Sequence, residues 1–223
     1  MRNRSSILIS EEPAQEPFRR YVRSEAAVFL KTKEKFGGLS NMAGGFPVRV
    51  NGALIPTVEA FYQACRFPHL PEVQLAIIRE ASPMTAKMKG KPFRSQSRPD
   101  WDVVRIPIMR WSLRLKLAFH FREFSTLLLS TGFNPIVEES RKDPFWGAQP
   151  QEADLLIGEN ILGRLLMELR EEVRNRPEES FRSLKVLNIP DFCMLNKQIE
   201  SIVTYKTRST YLTPSPQSQR LPL

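Results

Sequence analysis

A helix with an ionisable residue in its first turn begins in the run Thr57-Val58-Glu59-Ala60-Phe61-Tyr62-Gln63-Ala64. Thr57 is a preferred N-cap residue, and the two prolines at 68 and 71 set the expected end of the helix near Phe67. A carboxylate at the position of Glu59 interacts favourably with the positive end of the helix dipole, and this alone would explain its presence. The aromatic neighbours suggest a second explanation, a half-buried carboxylate whose raised pKa suits proton transfer near neutral pH.

A second helix start follows in the run Ser82-Pro83-Met84-Thr85-Ala86-Lys87. Ser82 is a good N-cap residue, and Pro83 occupies the first helical position, where its missing N–H costs nothing. Lys87 lies one turn into this helix. It is either an ordinary surface lysine or a partly buried amine whose lowered pKa makes it a nucleophile.

A third segment, Asp143-Pro144-Phe145-Trp146-Gly147, has the composition of a loop. Trp146 either covers the core or offers a flat stacking surface, and Gly147 permits close approach of the backbone. Trp101 is a second candidate ring. Asn160 precedes the apolar face of a last helix, expected from about 161 to 173, and is a good N-cap residue.

The remaining pattern places a little β-structure before the helices. Residues 27–30 read as a strand, and Asn51-Gly52 is a strong hairpin signal between segments 46–50 and 53–55. The expected fold is therefore mainly α, a compact single helical domain with a small N-terminal β-hairpin or sheet. We expect a flexible N-terminal arm at 1–26, the folded domain at 27–176 and a poorly ordered C-terminal tail at 177–223.

Composition narrows the class of protein. A chain of 223 residues can bury a substantial core, and it has only two cysteines and two histidines. This inventory predicts no disulfide framework, no metal site and no bound cofactor. No apolar run approaches the length of a membrane span or a secretory signal, so the sequence predicts a cytoplasmic protein without membrane partners.

The net charge of +9 is concentrated in the middle of the chain. Residues 87–122 carry ten Lys and Arg against two Asp. Such a stretch attracts phosphate groups, on nucleic acid or on a nucleotide-like substrate, but it is equally typical of a solvated helix face.

Taken in order, these motifs resemble those of the NADAR (YbiA-like) family over about residues 27–175. The matching segments are Leu39-Ser40-Asn41, Thr57-Val58-Glu59, Tyr62-Gln63-Ala64, Ser82-Pro83 with Ala86-Lys87, Trp101, Met109, Lys116, Val137-Glu138, Asp143, Trp146-Gly147, Gly158, Asn160, Leu162-Gly163, Leu165-Leu166-Met167 and Arg170.

The resemblance implies a compact helical fold and metal-independent hydrolysis of the bond between ribose C1′ and an exocyclic amine. Two substrate classes are associated with the family. One comprises the phosphoribosylamino-pyrimidine intermediates of riboflavin synthesis, and the other is ADP-ribose attached to guanine, whose removal would de-ADP-ribosylate nucleic acid.

The resemblance also implies roles for individual residues. Glu59 matches the family's glutamate and is the expected acid/base. Asp143 would stabilise the cationic sugar or orient water, and Lys87 would be a covalent nucleophile or a phosphate contact. Trp101 and Trp146 would stack on the heterocycle. Further expected substrate contacts are Asn41, Gly147 and Asn160.

Two other classes of function fit the same features. A non-catalytic module that binds ADP-ribose or a related nucleotide would use the same aromatic pocket. A nucleic-acid-binding accessory protein would use the basic stretch and bind with a steep salt dependence. An ADP-ribosyltransferase toxin is the expected protein partner if guanine is the substrate.

Overall fold

The computed structural model describes residues 18–204 and is built from helices and several small sheets. The helices are α1 Val58–Ala64, α2 Pro71–Ile78, α3 Pro83–Gly90, α4 Trp101–Phe119, α5 Phe121–Leu129 and α6 Ile161–Asn175. The strands are β1 Arg19–Val22, β2 Ala27–Phe29, β3 Val48–Val50, β4 Ala53–Ile55, β5 Ile136–Glu138, β6 Gln149–Pro150, β7 Leu155–Gly158, β8 Ser183–Leu184, β9 Cys193–Met194, β10 Lys197–Gln198 and β11 Ile202–Val203.

The helix starts follow from their capping residues. The Thr57 hydroxyl accepts a hydrogen bond from the Ala60 N–H at 3.3 Å, and the Ser82 hydroxyl accepts one from the Thr85 N–H at 3.3 Å. Each bond satisfies one of the N–H groups that a helix leaves free at its start. The caps inferred from the sequence therefore place α1 and α3, the two helices that carry Glu59 and Lys87.

The expected hairpin is present, but it is one of five small sheets in the part of the chain that the structure describes. Strands β3 and β4 pair antiparallel through Asn51 and Gly52, whose φ angles of 49° and 80° match a tight hairpin turn. Strands β1, β7 and β6 form a three-stranded sheet, and β2 pairs parallel with β5. The description as a helical domain with a single N-terminal hairpin is thus incomplete.

The N-terminal arm expected up to residue 26 is ordered from residue 18. Strand β1 pairs with β7, placing Tyr21 opposite Leu156, and both side chains are buried beside Val137. The sequence did not reveal this because the pairing partner lies more than 130 residues away. Residues 1–17 lie outside the described residues.

The segment 177–204 is likewise packed, not the poorly ordered tail that its lack of periodicity predicts. Its strands are two residues long, and its turns place Asp191, Leu195 and Asn196 at positive φ, so neither helical nor strand periodicity can develop. Its apolar side chains nevertheless join the main core. They are Phe181, Leu184, Phe192, Met194 and Ile199. Residues 205–223 lie outside the described residues.

The core centres on α4, which packs against α1, α5 and α6. Its buried stripe includes Met109, Leu113 and Leu117, as the four-residue repeat predicts. Pro107 lies inside this helix, and the helix continues on both sides of it. One side of this core is left open, where α1, α3 and the loop after β5 face each other.

Candidate active site

A cavity of about 440 Å³ opens between α1, α3 and the loop after β5. This volume is typical of sites for small ligands. Glu59, Lys87 and Asp143, the three residues expected to do chemistry, all line it. Asn41 and Trp146 line it as well. The cavity thus brings together five of the eight residues singled out from the sequence.

Glu59 is buried, with 7% of its surface exposed. Its N–H donates to the Asn41 carbonyl at 3.1 Å, and its Oε1 accepts a hydrogen bond from Gln63 Nε2 at 2.9 Å. Burial raises the pKa of the Glu59 carboxyl, while the positive charge of Lys87 acts in the opposite direction. Glu59 is therefore more than a helix-dipole residue, because its carboxyl is turned into the cavity and is easier to protonate than in water.

Glu138 is a second cavity carboxylate, and sequence reasoning did not select it. It ends β5, after the buried residues Ile136 and Val137. Burial, followed by the negative charges of Glu59 and Asp143, raises the pKa of Glu138 to about 7. The sequence feature that could have indicated Glu138 as a site residue is the Val137-Glu138 motif. A short apolar strand ending in a carboxylate does not by itself reveal which residues the strand end will face.

Asp143 organises the loop on which it lies. Its Oδ1 accepts hydrogen bonds from the N–H groups of Phe145 at 3.1 Å and Trp146 at 3.0 Å, while its own N–H donates to Ser140 Oγ at 3.0 Å. Both bonds to its side chain use Oδ1. Asp143 therefore fixes the position of Trp146 and still presents Oδ2 as an acceptor.

Lys87 is half-buried on α3 and lines the same cavity. Its charge is the main electrostatic influence opposing the raised pKa of Glu59, and it acts on Glu138 in the same direction. Lys87 therefore lies close enough to both carboxylates to influence their protonation. An amine that lines the same cavity as the two carboxylates can react with, or bind, a ligand held in that cavity.

The two tryptophans have different positions. Trp146 lines the cavity and packs edge-on against Tyr62, with ring centroids 5.7 Å apart. Trp101 does not line it: its ring lies behind Tyr62 at 5.2 Å and beneath the Arg66 guanidinium at 4.4 Å. Trp101 can therefore support two cavity residues but cannot stack on a ligand in this geometry.

Gly147 and Asn160 also lie behind the cavity wall. A Cβ at Gly147 would come within 2.4 Å of the Glu138 carbonyl oxygen, so its small size serves close packing. Asn160 is fully buried, its Nδ2 donating to the Ile136 carbonyl at 2.9 Å and its Oδ1 accepting from the Glu138 N–H at 3.2 Å. Its side chain does not cap α6, because these two bonds to β5 use both of its polar ends.

Asn41 supplies an unsatisfied acceptor at the cavity. Its Nδ2 donates to the Met109 sulfur, but its Oδ1 is buried and has no partner among the described residues. A buried acceptor without a partner is costly, and a donor on a ligand would remove this cost. This arrangement suits a hydroxyl or N–H group of a substrate.

A set of basic side chains surrounds the acidic centre. Arg66 is half-buried, and Arg94, Arg141 and Lys142 are exposed. Cationic side chains around a carboxylate-lined cavity favour a ligand with phosphate at its edges and an electron-poor centre. Of these four, Arg94 belongs to the basic stretch 87–122 from which phosphate binding was inferred, whereas Arg66, Arg141 and Lys142 lie outside it.

Two other properties of residues 18–204 bear on the class of protein. No group of three or more His, Cys, Asp and Glu side chains in this part of the chain is arranged to hold a metal ion. None of the helices there has both the length and the apolar content of a membrane span.

Comparison with known proteins identifies relatives over most of the chain. N-glycosidase YbiA of Escherichia coli (strain K12) is 36% identical over 145 residues, covering 65% of this chain and 86% of that protein. N-glycosidase Npun_R5314 of Nostoc punctiforme is 34% identical over 149 residues, or 66% of this chain and 92% of that protein. The chloroplastic riboflavin biosynthesis protein PYRR of Zea mays is 30% identical over 181 residues, but these are 28% of its length.

The fold is also shared with a solved relative. The NMR structure of the E. coli protein YbiA superimposes with a TM-score of 0.57 at 33% sequence identity, covering 70% of this chain and 89% of that one. A family model described as the NADAR domain matches residues 28–174. The resemblance seen in the short motifs is thereby confirmed, and the chain belongs to the NADAR family.

Proposed function

We propose that this chain is an N-glycosidase that hydrolyses the bond between ribose C1′ and an exocyclic amine. Relatives named N-glycosidase support a hydrolase acting on N-glycosyl bonds. The observation that carries the proposal for this chain is the convergence of Glu59, Glu138, Asp143 and Lys87 on one cavity beside Trp146.

Burial raises the pKa of both the Glu59 and the Glu138 carboxyl. At Glu138 the negative charges of Glu59 and Asp143 raise the pKa further, because neighbouring carboxylates oppose ionisation. Near neutral pH the cluster therefore holds a proton that it can give away and a carboxylate that can take one up. This pairing of acid and base is what hydrolysis of a glycosidic bond requires.

In the direct route, a protonated Glu59 or Glu138 gives its proton to the exocyclic nitrogen as the C1′–N bond breaks. The bonding electrons leave with the amine, and the ring oxygen shares the positive charge that develops on C1′. Asp143 Oδ2 and the remaining carboxylate stabilise this cation. Water then adds to C1′ and loses a proton to that carboxylate, so the pair again holds one proton, now on the other carboxyl, and the released sugar has a hydroxyl at C1′.

In a second route the ring C1′–O bond breaks first, and the proton of the exocyclic N–H passes to the ring oxygen, which leaves a C1′=N imine and a hydroxyl. Lys87 gives a proton to a cavity carboxylate, its amine adds to C1′ and expels the exocyclic amine, and water hydrolyses the resulting lysine imine. The two routes differ in one measurable property. Borohydride added during turnover would reduce the lysine imine to a stable adduct on Lys87, whereas the direct route gives no adduct.

The basic side chains that line the cavity favour a substrate that carries phosphate. Phosphoribosylamino-pyrimidines and ADP-ribosylated guanine both carry phosphate. Relatives named riboflavin biosynthesis protein favour testing the first class, although they match over only part of their own length. The net charge of +9 favours the second class, in which the modified guanine is part of a nucleic acid.

The test is turnover of both substrate classes by the purified chain, with release of the free base or amine measured by chromatography. Glu59→Gln and Glu138→Gln should each lower kcat by about 10²–10⁴-fold, the usual contribution of a general acid or base. Glu139→Gln is the matched control, since Glu139 also lines the cavity but its carboxylate forms an ion pair with Arg23 at 2.7 Å. It should change kcat by less than about threefold.

Three results would count against the proposal. Binding of the substrates without any product would favour the non-catalytic nucleotide-binding module. Turnover that survives both substitutions at the level of Glu139→Gln would remove the carboxylate pair from the mechanism. Loss of binding with increasing salt, with no preference for the sugar nucleotide, would favour the nucleic-acid-binding alternative.

A further inference from the structure

Lys116 is a buried lysine that the proposed reaction does not use. It lies in the last turn of α4 with 1% of its surface exposed, and it does not line the cavity. Its Nζ donates to the Gly38 carbonyl at 2.6 Å and to the Ser40 carbonyl at 3.0 Å. The same amine lies over the rings of Phe46 and Phe124, at 4.2 Å and 4.4 Å from their centroids.

The stability of the fold does not account for a lysine here. A buried cation loses its hydration, and Lys116 has no ion pair with any carboxylate in residues 18–204 that would compensate for it. Two carbonyl acceptors and two aromatic faces offset part of this cost. Burial still lowers the pKa of Lys116 to about 7, which shows that the compensation is incomplete. A methionine of similar length would avoid the cost.

The two carbonyls belong to the segment that leads into the cavity. Gly38 lies in a short 3₁₀ turn, and Ser40 and Asn41 both line the cavity. The Asn41 carbonyl accepts the N–H of Glu59 at 3.1 Å. A continuous set of contacts therefore runs from the Lys116 amine through residues 38–41 to the first turn of α1.

We propose that Lys116 is a positioning residue that holds residues 38–41 where they fix Asn41 and the backbone of Glu59 for catalysis. The inference rests on the proposed N-glycosidase function and extends it to a residue outside the cavity. Lys116 acts at a distance: it touches neither the substrate nor the reacting atoms, and its effect passes through two backbone carbonyls.

Loss of these two hydrogen bonds would free the segment to move. Asn41 Oδ1 would lose its fixed direction, and Glu59 would gain access to water, which removes the burial that raises the pKa of its carboxyl. The basic side chains on the other walls would stay in place. The chemical step should therefore suffer more than substrate binding does.

The test compares Lys116→Met with Leu117→Ala, a fully buried neighbour on the same helix that has no hydrogen bond to residues 38–41. Lys116→Met should lower kcat by about 10²-fold with KM changed less than about threefold, since displacing a reacting group by 1 Å costs about this much. Leu117→Ala should lower Tm but keep kcat, per folded molecule, within about twofold.

A second readout does not require activity. The Glu59 carboxyl, followed by ¹³C NMR titration of the full chain, should titrate at lower pH in Lys116→Met than in the wild type. It should not move in Leu117→Ala. An unchanged titration would overturn the proposal, and so would an unchanged kcat. If the wild type lacks N-glycosidase activity, the proposed function fails, and the titration alone decides whether Lys116 positions this segment.

Gly37→Ala keeps the proposal falsifiable if Lys116→Met does not fold. A Cβ at position 37 would lie 2.3 Å from the backbone carbonyl oxygen of Lys31, so the 3₁₀ turn that carries the Gly38 carbonyl has to shift while the lysine stays intact. It should reproduce the fall in kcat and the shift in Glu59 titration. Wild-type values for both quantities would overturn the proposal.

Discussion

At the scale of single residues, Glu138 shows what the sequence can and cannot reveal about the site. Glu59 and Lys87 could be selected because each follows a capped helix start, where local rules place the side chain. Glu138 acquires its properties from Glu59 and Asp143, which reach it from other parts of the chain. Trp101 was expected to stack on a ligand, but its ring packs against Tyr62 and the Arg66 guanidinium and does not line the cavity.

The raised pKa of Glu138 predicts a pH-dependent loss of stability. In the unfolded chain this carboxyl titrates near 4.5, whereas in the folded chain burial and neighbouring charges raise its pKa to about 7. Between these values the folded state binds more protons, so the free energy of unfolding falls as pH rises through this window. By pH 8 the loss should be on the order of 3 kcal/mol, since the pKa difference is about 2.5 units and each unit corresponds to about 1.4 kcal/mol.

Chemical denaturation between pH 5 and pH 8 measures this loss. Glu138→Gln should flatten the pH dependence relative to the wild type, because the glutamine stays neutral throughout. Glu123→Gln, an exposed residue on α5, should keep the wild-type slope. Parallel curves for the wild type and Glu138→Gln would show that this carboxyl titrates normally.

At the scale of elements, helix starts and the β3–β4 turn could be predicted, whereas the sheet that carries Glu138 could not. Capping and turn chemistry act within a few residues, as at Thr57, Ser82 and Asn51-Gly52. Strand β5 instead pairs with β2 across more than 100 residues, and no local pattern encodes that partner. Asn160 was expected to cap α6, but its side chain joins β5 to the start of that helix.

The Asn160 bridge predicts that its loss disturbs both stability and chemistry. Asn160→Ala would leave the Ile136 carbonyl and the Glu138 N–H without partners, at a position with φ of 49° that asparagine tolerates better than alanine. We expect the free energy of unfolding to fall by about 2–4 kcal/mol and kcat to fall at least about tenfold. Urea titration and steady-state kinetics give both values.

Asn175→Ala is the control for this change. Asn175 lies at the end of the same helix, is exposed, and donates only to the Glu171 carbonyl within α6. Its loss should change the free energy of unfolding by less than about 0.5 kcal/mol and leave kcat unchanged. Equal effects of the two substitutions would mean that the bridge to β5 has no special role in holding Glu138.

At the scale of the whole molecule, the segment 177–204 shares one core with the part of the chain that matches the family. Phe192 packs edge-on against Trp111 with centroids 5.2 Å apart, and Trp111 packs on Phe61 of α1 at 5.4 Å. Polar bonds follow the same route, since Gln74 donates to the carbonyls of Ala64 and Cys193. The segment thus contacts, through one intermediate residue, the helix that carries Glu59.

This shared core predicts that a substitution in the segment destabilises the whole molecule at once. Phe192→Ala should lower the free energy of unfolding by about 3–5 kcal/mol, the usual cost of removing a buried phenylalanine. Unfolding should remain a single transition, because Trp111 and Phe61 lose packing together with the segment. Urea denaturation followed by tryptophan fluorescence tests this directly, since Trp111 lies at the contact.

Val203→Ala, at a side chain that is 53% exposed, should change the free energy of unfolding by less than about 0.5 kcal/mol. A separate early transition in Phe192→Ala would show instead that the segment folds independently of the catalytic core.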